Sequence, residues 1–268
     1  MEKAPLKSLS NMIKYFYQRN LLNLIFKSPF DIIGDNLLRY FVKQIIKSLE
    51  ILDRGNFAHF DLKPGNILTF LNLNIKLSDF GFLTNLEKTK NEEKKVNIPG
   101  GTPGYLSPEY YLEKGILDIE HAKKQDFFSL GAIIFFLKFG EKMLDYIEDK
   151  DDNFMTSDII IDLLEKTMDE IKSNKLCDKE FINLLCSLIQ YKPNERPDLE
   201  KIYRNKWLNK NSDEIEQILE INELDEKKIA LELNKSDFLI KKNEYIKKSN
   251  QNVERRKKFI FKDGNRKY

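Results

Sequence analysis

Residues 59–68 read HFDLKPGNIL, and residues 78–81 read SDFG. In the first stretch Asp61 and Asn66 bracket Pro64-Gly65. Proline fixes φ and glycine relieves it, so the pair tightens a loop. A loop that short can turn both flanking side chains toward one point. NILTF and NIKLSD lie next, two short apolar runs joined by 71–74, and their composition predicts a small hairpin. A hairpin returns the chain to where it left, which brings Asp79 back toward Asn66. Two carboxylates, an amide oxygen and the Lys63 ammonium then converge. Asp, Asn, Gly and Pro also crowd ordinary turns for conformational reasons alone. The two stretches together, in this order around a hairpin, argue for a built site.

Hard oxygen donors of this kind suit Mg²⁺, which takes a few protein oxygens and leaves the rest to phosphate and water. Phosphoryl transfer needs charge neutralisation, in-line positioning and an acceptor for the nucleophile's proton. The set Asp61, Lys63, Asn66 and Asp79 contains the residue types for each task.

The rest of the composition narrows the setting. With 268 residues, 41% hydrophobic, the chain can bury a core. Its 45 basic and 43 acidic residues nearly cancel, which gives no global pull toward nucleic acid or membrane. Cys177 and Cys186 match no zinc or redox spacing and read as small apolar residues in or beside one helix, in a reducing compartment. MEKAPLKSLS has no apolar run, so no signal peptide is expected. The most apolar run, LGAIIFFL at 130–137, is too short to span a bilayer and reads as a buried helix.

Periodicity predicts helices at 8–18 (Leu9, Ile13, Phe16 and Tyr17 on one face), at about 36–52 ending at Gly55, and at about 124–139, apolar nearly all round. Further helices are expected at 156–172, at 178–190 and over LEKIYRNKWL, capped by Asp198. Residues 82–104 lose periodicity and read as a long exposed loop. Composition turns charge-dominated near residue 210, which divides the chain into 1–210 and a charged, partly helical or disordered tail, 211–268, with a basic end. That basic end lacks regularly placed aromatics, so nucleic-acid binding is not expected.

The motifs resemble those of eukaryotic-type protein kinases. HFDLKPGN is similar to the catalytic loop, SDFG to the metal-binding motif, GTPGYLSPEY at 101–110 to the end of the activation segment, DFFSLG at 126–131 to the start of the central buried helix, and ERPD at 195–198 to the late arginine motif. Lys63 in DLKP together with Thr102 in GTPGY resembles the serine/threonine branch. The resemblance implies a mainly α fold, the large lobe of a protein kinase, with a small β-hairpin carrying the catalytic and DFG motifs. It implies a serine/threonine protein kinase acting on a protein hydroxyl with ATP and Mg²⁺, in the cytoplasm or nucleus. By that resemblance Asp61 accepts the substrate proton and Lys63 touches the transferred phosphate. Asn66 and Asp79 hold Mg²⁺, and Glu2 and Leu68 lie against the nucleotide. His59 and Phe80 stack, Asp126 pins the catalytic-loop backbone, and Glu109 pairs with Arg196.

Two departures matter. The arginine that the family places before the catalytic Asp is Phe60 here, and 90–101, KNEEKKVNIPGG, holds no Ser, Thr or Tyr. The expectation is that activation-loop phosphorylation does not switch this protein. The family also carries a Gly-rich loop, a strand lysine and a helix glutamate upstream, in a small β-rich lobe. The sequence holds no G-x-G-x-x-G and no V-A-I-K-like strand, and MEKAPLKSL resembles the hinge after that lobe, on Glu2, Leu6 and Leu9. The expectation is a large lobe that begins at the hinge and lacks the small lobe, with a small-lobe or regulatory partner over the nucleotide shelf. The alternative is a pseudokinase-like scaffold without appreciable catalysis.

Overall fold

Three two-stranded antiparallel ribbons and a set of helices around one buried helix make up the described part of the protein. The computed structural model describes residues 8–18, 33–70, 73–140, 142–144, 157–175 and 177–210, all within one compact unit, Met1–Leu224. Glu2, Leu6 and the 211–268 tail lie outside the described residues, as do the side chains of Phe16 and Tyr17.

Helix α1 (Leu9–Gln18) starts at Ser8, whose hydroxyl accepts from the Asn11 N–H at 3.3 Å and caps the first turn. Leu9, Met12 and Ile13 are buried. Helix α2 (Asp35–Arg54) buries Leu38, Phe41, Ile45 and Leu49 at helical spacing. Gly55 ends it, and its N–H donates to the Leu52 carbonyl at 3.0 Å.

Strand β1 (Phe57–Ala58) follows and pairs with β4 (Thr84–Asn85). Strands β2 (Ile67–Thr69) and β3 (Ile75–Leu77) form the expected hairpin, in the register Ile67↔Leu77, Leu68↔Lys76, Thr69↔Ile75. Ser8 bridges to Leu68, which ties the start of α1 to β2.

Segment 82–104 differs from its expected form. It holds β4, the short helix α3 (Leu86–Thr89) and β5 (Lys95–Asn97), and it buries Leu86, Val96 and Ile98. Strands of two or three residues paired with distant partners leave no periodicity to read. Strand β5 pairs with β6 (Ile116–Asp118), beyond the short helix α4 (Pro108–Leu112).

Helix α5 (Ile119–Phe139) is the most buried helix among the described residues and begins earlier than its apolar run. Ile119 and Ala122 are buried among charged neighbours, a mixture that reads as loop in sequence. α5 packs against α2 and α7 (Lys179–Leu188). Gly131 permits the close approach to α7: a Cβ there would lie 2.6 Å from Ile189 Cγ2 and 3.0 Å from Leu188 Cβ. Helix α6 (Ser157–Ser173) also packs on α7. The last helix, α8 (Leu199–Tyr203), stops short of the predicted span, although Asp198 does cap it, accepting from the Lys201 N–H at 2.8 Å. Turns then carry Trp207 into the core, fully buried, 5.1 Å from the Phe181 ring and 5.0 Å from the Arg39 guanidinium.

Candidate active site

The loop between β1 and β2 is held from below by α5. Asp126 accepts the backbone N–H groups of His59 and Phe60 at 2.7 and 3.0 Å. Burial pushes the Asp126 carboxyl above the usual carboxylate range, and the two N–H bonds oppose that shift. With its N–H held there, Phe60 sits at φ +61°, in the left-handed region that costs a residue with a Cβ about 1–2 kcal/mol. Strained backbone of this kind persists only where surrounding contacts over-determine it. His59 is fully buried; its Nδ1 accepts from the Asp61 N–H at 3.3 Å and its Nε2 donates to the Ser78 carbonyl at 3.2 Å. The Phe80 ring lies 5.3 Å from it and remains 49% exposed.

Asp61 is the hub. Its Oδ2 accepts from Asn66 Nδ2 at 2.8 Å and pairs with Lys63 Nζ at 2.8 Å. Its Oδ1 accepts from the Thr102 hydroxyl at 2.5 Å, and that hydroxyl oxygen accepts from Lys63 Nζ at 2.6 Å. Asp61 is buried, whereas Lys63 is half-buried at the edge.

Asn66 also donates to the Asp61 carbonyl at 2.9 Å, so both of its bonds use the amide nitrogen. The amide oxygen accepts from no described residue. Ser78 gives both its N–H and its hydroxyl to the Asn66 carbonyl, each at 2.9 Å. The next residue, Asp79, is exposed at φ +61°, and its carboxylate pairs with no described residue. Two hard oxygen donors, registered to each other through Ser78, therefore remain open. That donor set fits Mg²⁺.

The other sequence-predicted residues fall in two places. Glu109 and Arg196 form a two-point ion pair at 2.6 and 2.7 Å. Leu68 lies half-buried on β2. Sequence reasoning missed Ser78 and a buried amide network. Gln125 Oε1 accepts from the Ser107 N–H and hydroxyl at 3.0 and 2.5 Å, and Ser129 donates to the Tyr105 carbonyl at 2.7 Å. Gln125 and Ser129, four residues apart on one face of the central helix, were the available signal.

A separate group, Glu113, Asp118 and His121, gathers three ligand-type atoms within 4.8 Å. Both acids are exposed, and His121 Nδ1 lies 3.7 Å from a Glu113 oxygen, beyond hydrogen-bond distance.

A sequence model of the protein kinase domain matches residues 7–208. The chain belongs to the protein kinase domain family. CBL-interacting serine/threonine-protein kinase 20 of Arabidopsis thaliana is 30% identical over 183 residues, covering 68% of this chain and 38% of that protein. CBL-interacting protein kinase 26 of Oryza sativa subsp. japonica is 29% identical over 203 residues, covering 75% and 37%. The probable serine/threonine-protein kinase PLK of Dictyostelium discoideum is 33% identical over 173 residues, covering 61% and 15%. This chain thus spans less than two fifths of the length of these curated relatives. No helix among its described residues is long and apolar enough to cross a membrane.

Proposed function

We propose that the described residues carry the catalytic and metal-binding loops of a serine/threonine protein kinase, which transfers a phosphoryl group from ATP to a protein hydroxyl. The observation that carries the reading is the hub at Asp61, where a lysine, an asparagine and a threonine hydroxyl converge on one buried carboxylate.

Asp61 accepts the proton of the substrate hydroxyl. A carboxylate oxygen has two acceptor sites, so Oδ1 keeps one after binding Thr102. Lys63, held between Asp61 and Thr102, offsets the charge on the transferred group. Asn66 Oδ1 and the Asp79 carboxylate are the groups that would hold Mg²⁺, which neutralises phosphate charge when bound. Leu68 and Phe80 offer apolar surface to the adenine, and Glu2 joins them in the nucleotide site by resemblance. His59, Thr102, Asp126 and the Glu109–Arg196 pair keep these parts aligned. Activation-loop phosphorylation does not switch the site.

A scaffold without catalysis draws on one observation, the half-exposed ring of Phe80 beside the site. The two readings part in one experiment: phosphate transfer from Mg-ATP to a basic protein, with Asp61→Asn as control, alongside calorimetric Mg-ATP binding. Transfer lost in Asp61→Asn supports the kinase. No transfer, with binding indifferent to Asp79→Ala, supports the scaffold.

A further inference from the structure

We propose that Phe60 is a positioning residue for the Asp61 loop, and that its side chain couples the β5–β6 ribbon to the backbone carrying Asp61 through apolar packing. The proposal rests on the reading of Asp61 as proton acceptor.

Phe60 is 1% exposed, and its neighbours His59 and Asp61 are buried as well. Its backbone sits at φ +61° with its N–H bonded to Asp126, and its side chain is seated among apolar residues. That seat is an apolar cluster with Leu86, Val96, Ile98, Leu117 and Ile119. Most of these residues belong to the ribbon or adjoin it. The ladder runs Lys95↔Asp118, Val96↔Leu117, Asn97↔Ile116. It is extended at each end, by Ile98 N–H to the Gly115 carbonyl at 2.8 Å and Ile119 N–H to the Lys94 carbonyl at 3.0 Å.

From the ribbon the chain runs directly to the reacting centre. At Gly101 a Cβ would lie 2.6 Å from the Phe60 carbonyl oxygen and 2.6 Å from Leu106 Cδ2, so backbone passes against backbone. The next residue, Thr102, holds Asp61 Oδ1. The ribbon is therefore anchored twice on Phe60, by side chain and by main chain, one residue before it touches the carboxylate. An apolar anchor of this kind is insensitive to salt, whereas a charge in the same buried seat would need a desolvated partner.

The test is hydrogen exchange on the 268-residue chain, followed in peptides covering 59–61 and 95–98. The variants are Phe60→Ala, Phe60→Leu and Val96→Ala, with Ile45→Ala as a destabilising control in the α2 core. Coupled packing predicts that Phe60→Ala and Val96→Ala each speed exchange in both peptides by about tenfold or more, beyond what Ile45→Ala does. Phe60→Leu, which keeps an apolar side chain in the seat, restores protection to within roughly threefold of the parent. Should Phe60→Ala fail to fold, Val96→Ala decides alone, since it must speed exchange at 59–61 from across the cluster. The proposal is overturned if Val96→Ala leaves 59–61 unchanged, or if Phe60→Leu exchanges like Phe60→Ala. The readout needs no catalysis: coupled exchange, with no phosphate transfer and Mg-ATP binding indifferent to Asp79→Ala, would sink the kinase reading and leave the coupling standing.

Discussion

Arg196 grips Glu109 through two charge-assisted hydrogen bonds, with side chains 0% and 4% exposed. The guanidinium also donates to the Gln190 and Tyr191 carbonyls, at 2.8 and 3.1 Å, and lies 4.9 Å from the Phe128 ring centre. The pair joins α4, which follows the 82–104 segment, to the turn before α8. Glu109→Ala leaves a buried cation without its counter-ion, and the expected cost is about 3–5 kcal/mol in urea unfolding. Replacing both partners with methionine costs less than Glu109→Ala alone, because no desolvated charge remains. A double variant less stable than the single would refute this account.

Gly131→Ala tests the contact between α5 and α7. An added Cβ gains up to about 1 kcal/mol of helix propensity. It also meets Ile189 Cγ2 at 2.6 Å, and both neighbours sit in a filled core. Overpacking of that kind costs about 1–3 kcal/mol, so net destabilisation is expected. Gly65→Ala is the contrast, since its nearest atom would be Lys63 Cε at 3.7 Å. It should unfold within about 0.5 kcal/mol of the parent.

Local signals made much of this legible in advance. The helical spacing of Leu38, Phe41, Ile45 and Leu49, the hairpin composition around 67–77 and the Pro64-Gly65 turn are short-range features, and the structure keeps all three. Segment 82–104 was misread for the opposite reason. Val96 and Ile98 are buried by Phe60, Leu117 and Ile119, none of them near in sequence. Ser78 was missed because a serine before an Asp looks like any turn residue, and its role lies in two bonds to the Asn66 carbonyl twelve residues back. The burial of Gln125 depends on Ser107 and Tyr105, which only tertiary packing brings to it.

Thr102→Val removes the hydroxyl that bridges Asp61 and Lys63 while keeping the side chain's shape. A hydrogen bond to a charged group is worth about 1.5–3 kcal/mol. On the kinase reading, kcat should fall by roughly ten- to a hundredfold, and the lost bond should also lower stability by about 1.5–3 kcal/mol in urea unfolding. Thr102→Ser retains the hydroxyl and should recover most of the rate. Equal losses in both variants would remove the hydroxyl from the account and leave only packing.

Asp178 gives the domain an acid-sensitive joint. It caps α7 by accepting from the Glu180 and Phe181 N–H groups at 2.8 and 3.4 Å, and it pairs with Lys210 near the end of the described chain. The Lys210 bond is the largest influence on its carboxyl; burial opposes it, the two backbone bonds add to it, and the carboxyl is held below the ordinary value. A depressed folded pKa means the stabilisation is complete above the unfolded pKa and is lost as pH falls through the folded one. Asp178→Ala should cost about 1 kcal/mol at neutral pH, typical for a lost cap. The gap between parent and Asp178→Ala should then narrow as acid is added below about pH 4. Asp178→Asn keeps the cap without the charge, so its own stability should lack that acid-dependent component. Added salt screens the partly exposed Lys210 pair and leaves the backbone bonds in place, so only part of the gap should close at high salt. A gap that stays constant from neutral pH to about pH 3 would mean that the carboxylate's charge contributes nothing to this joint.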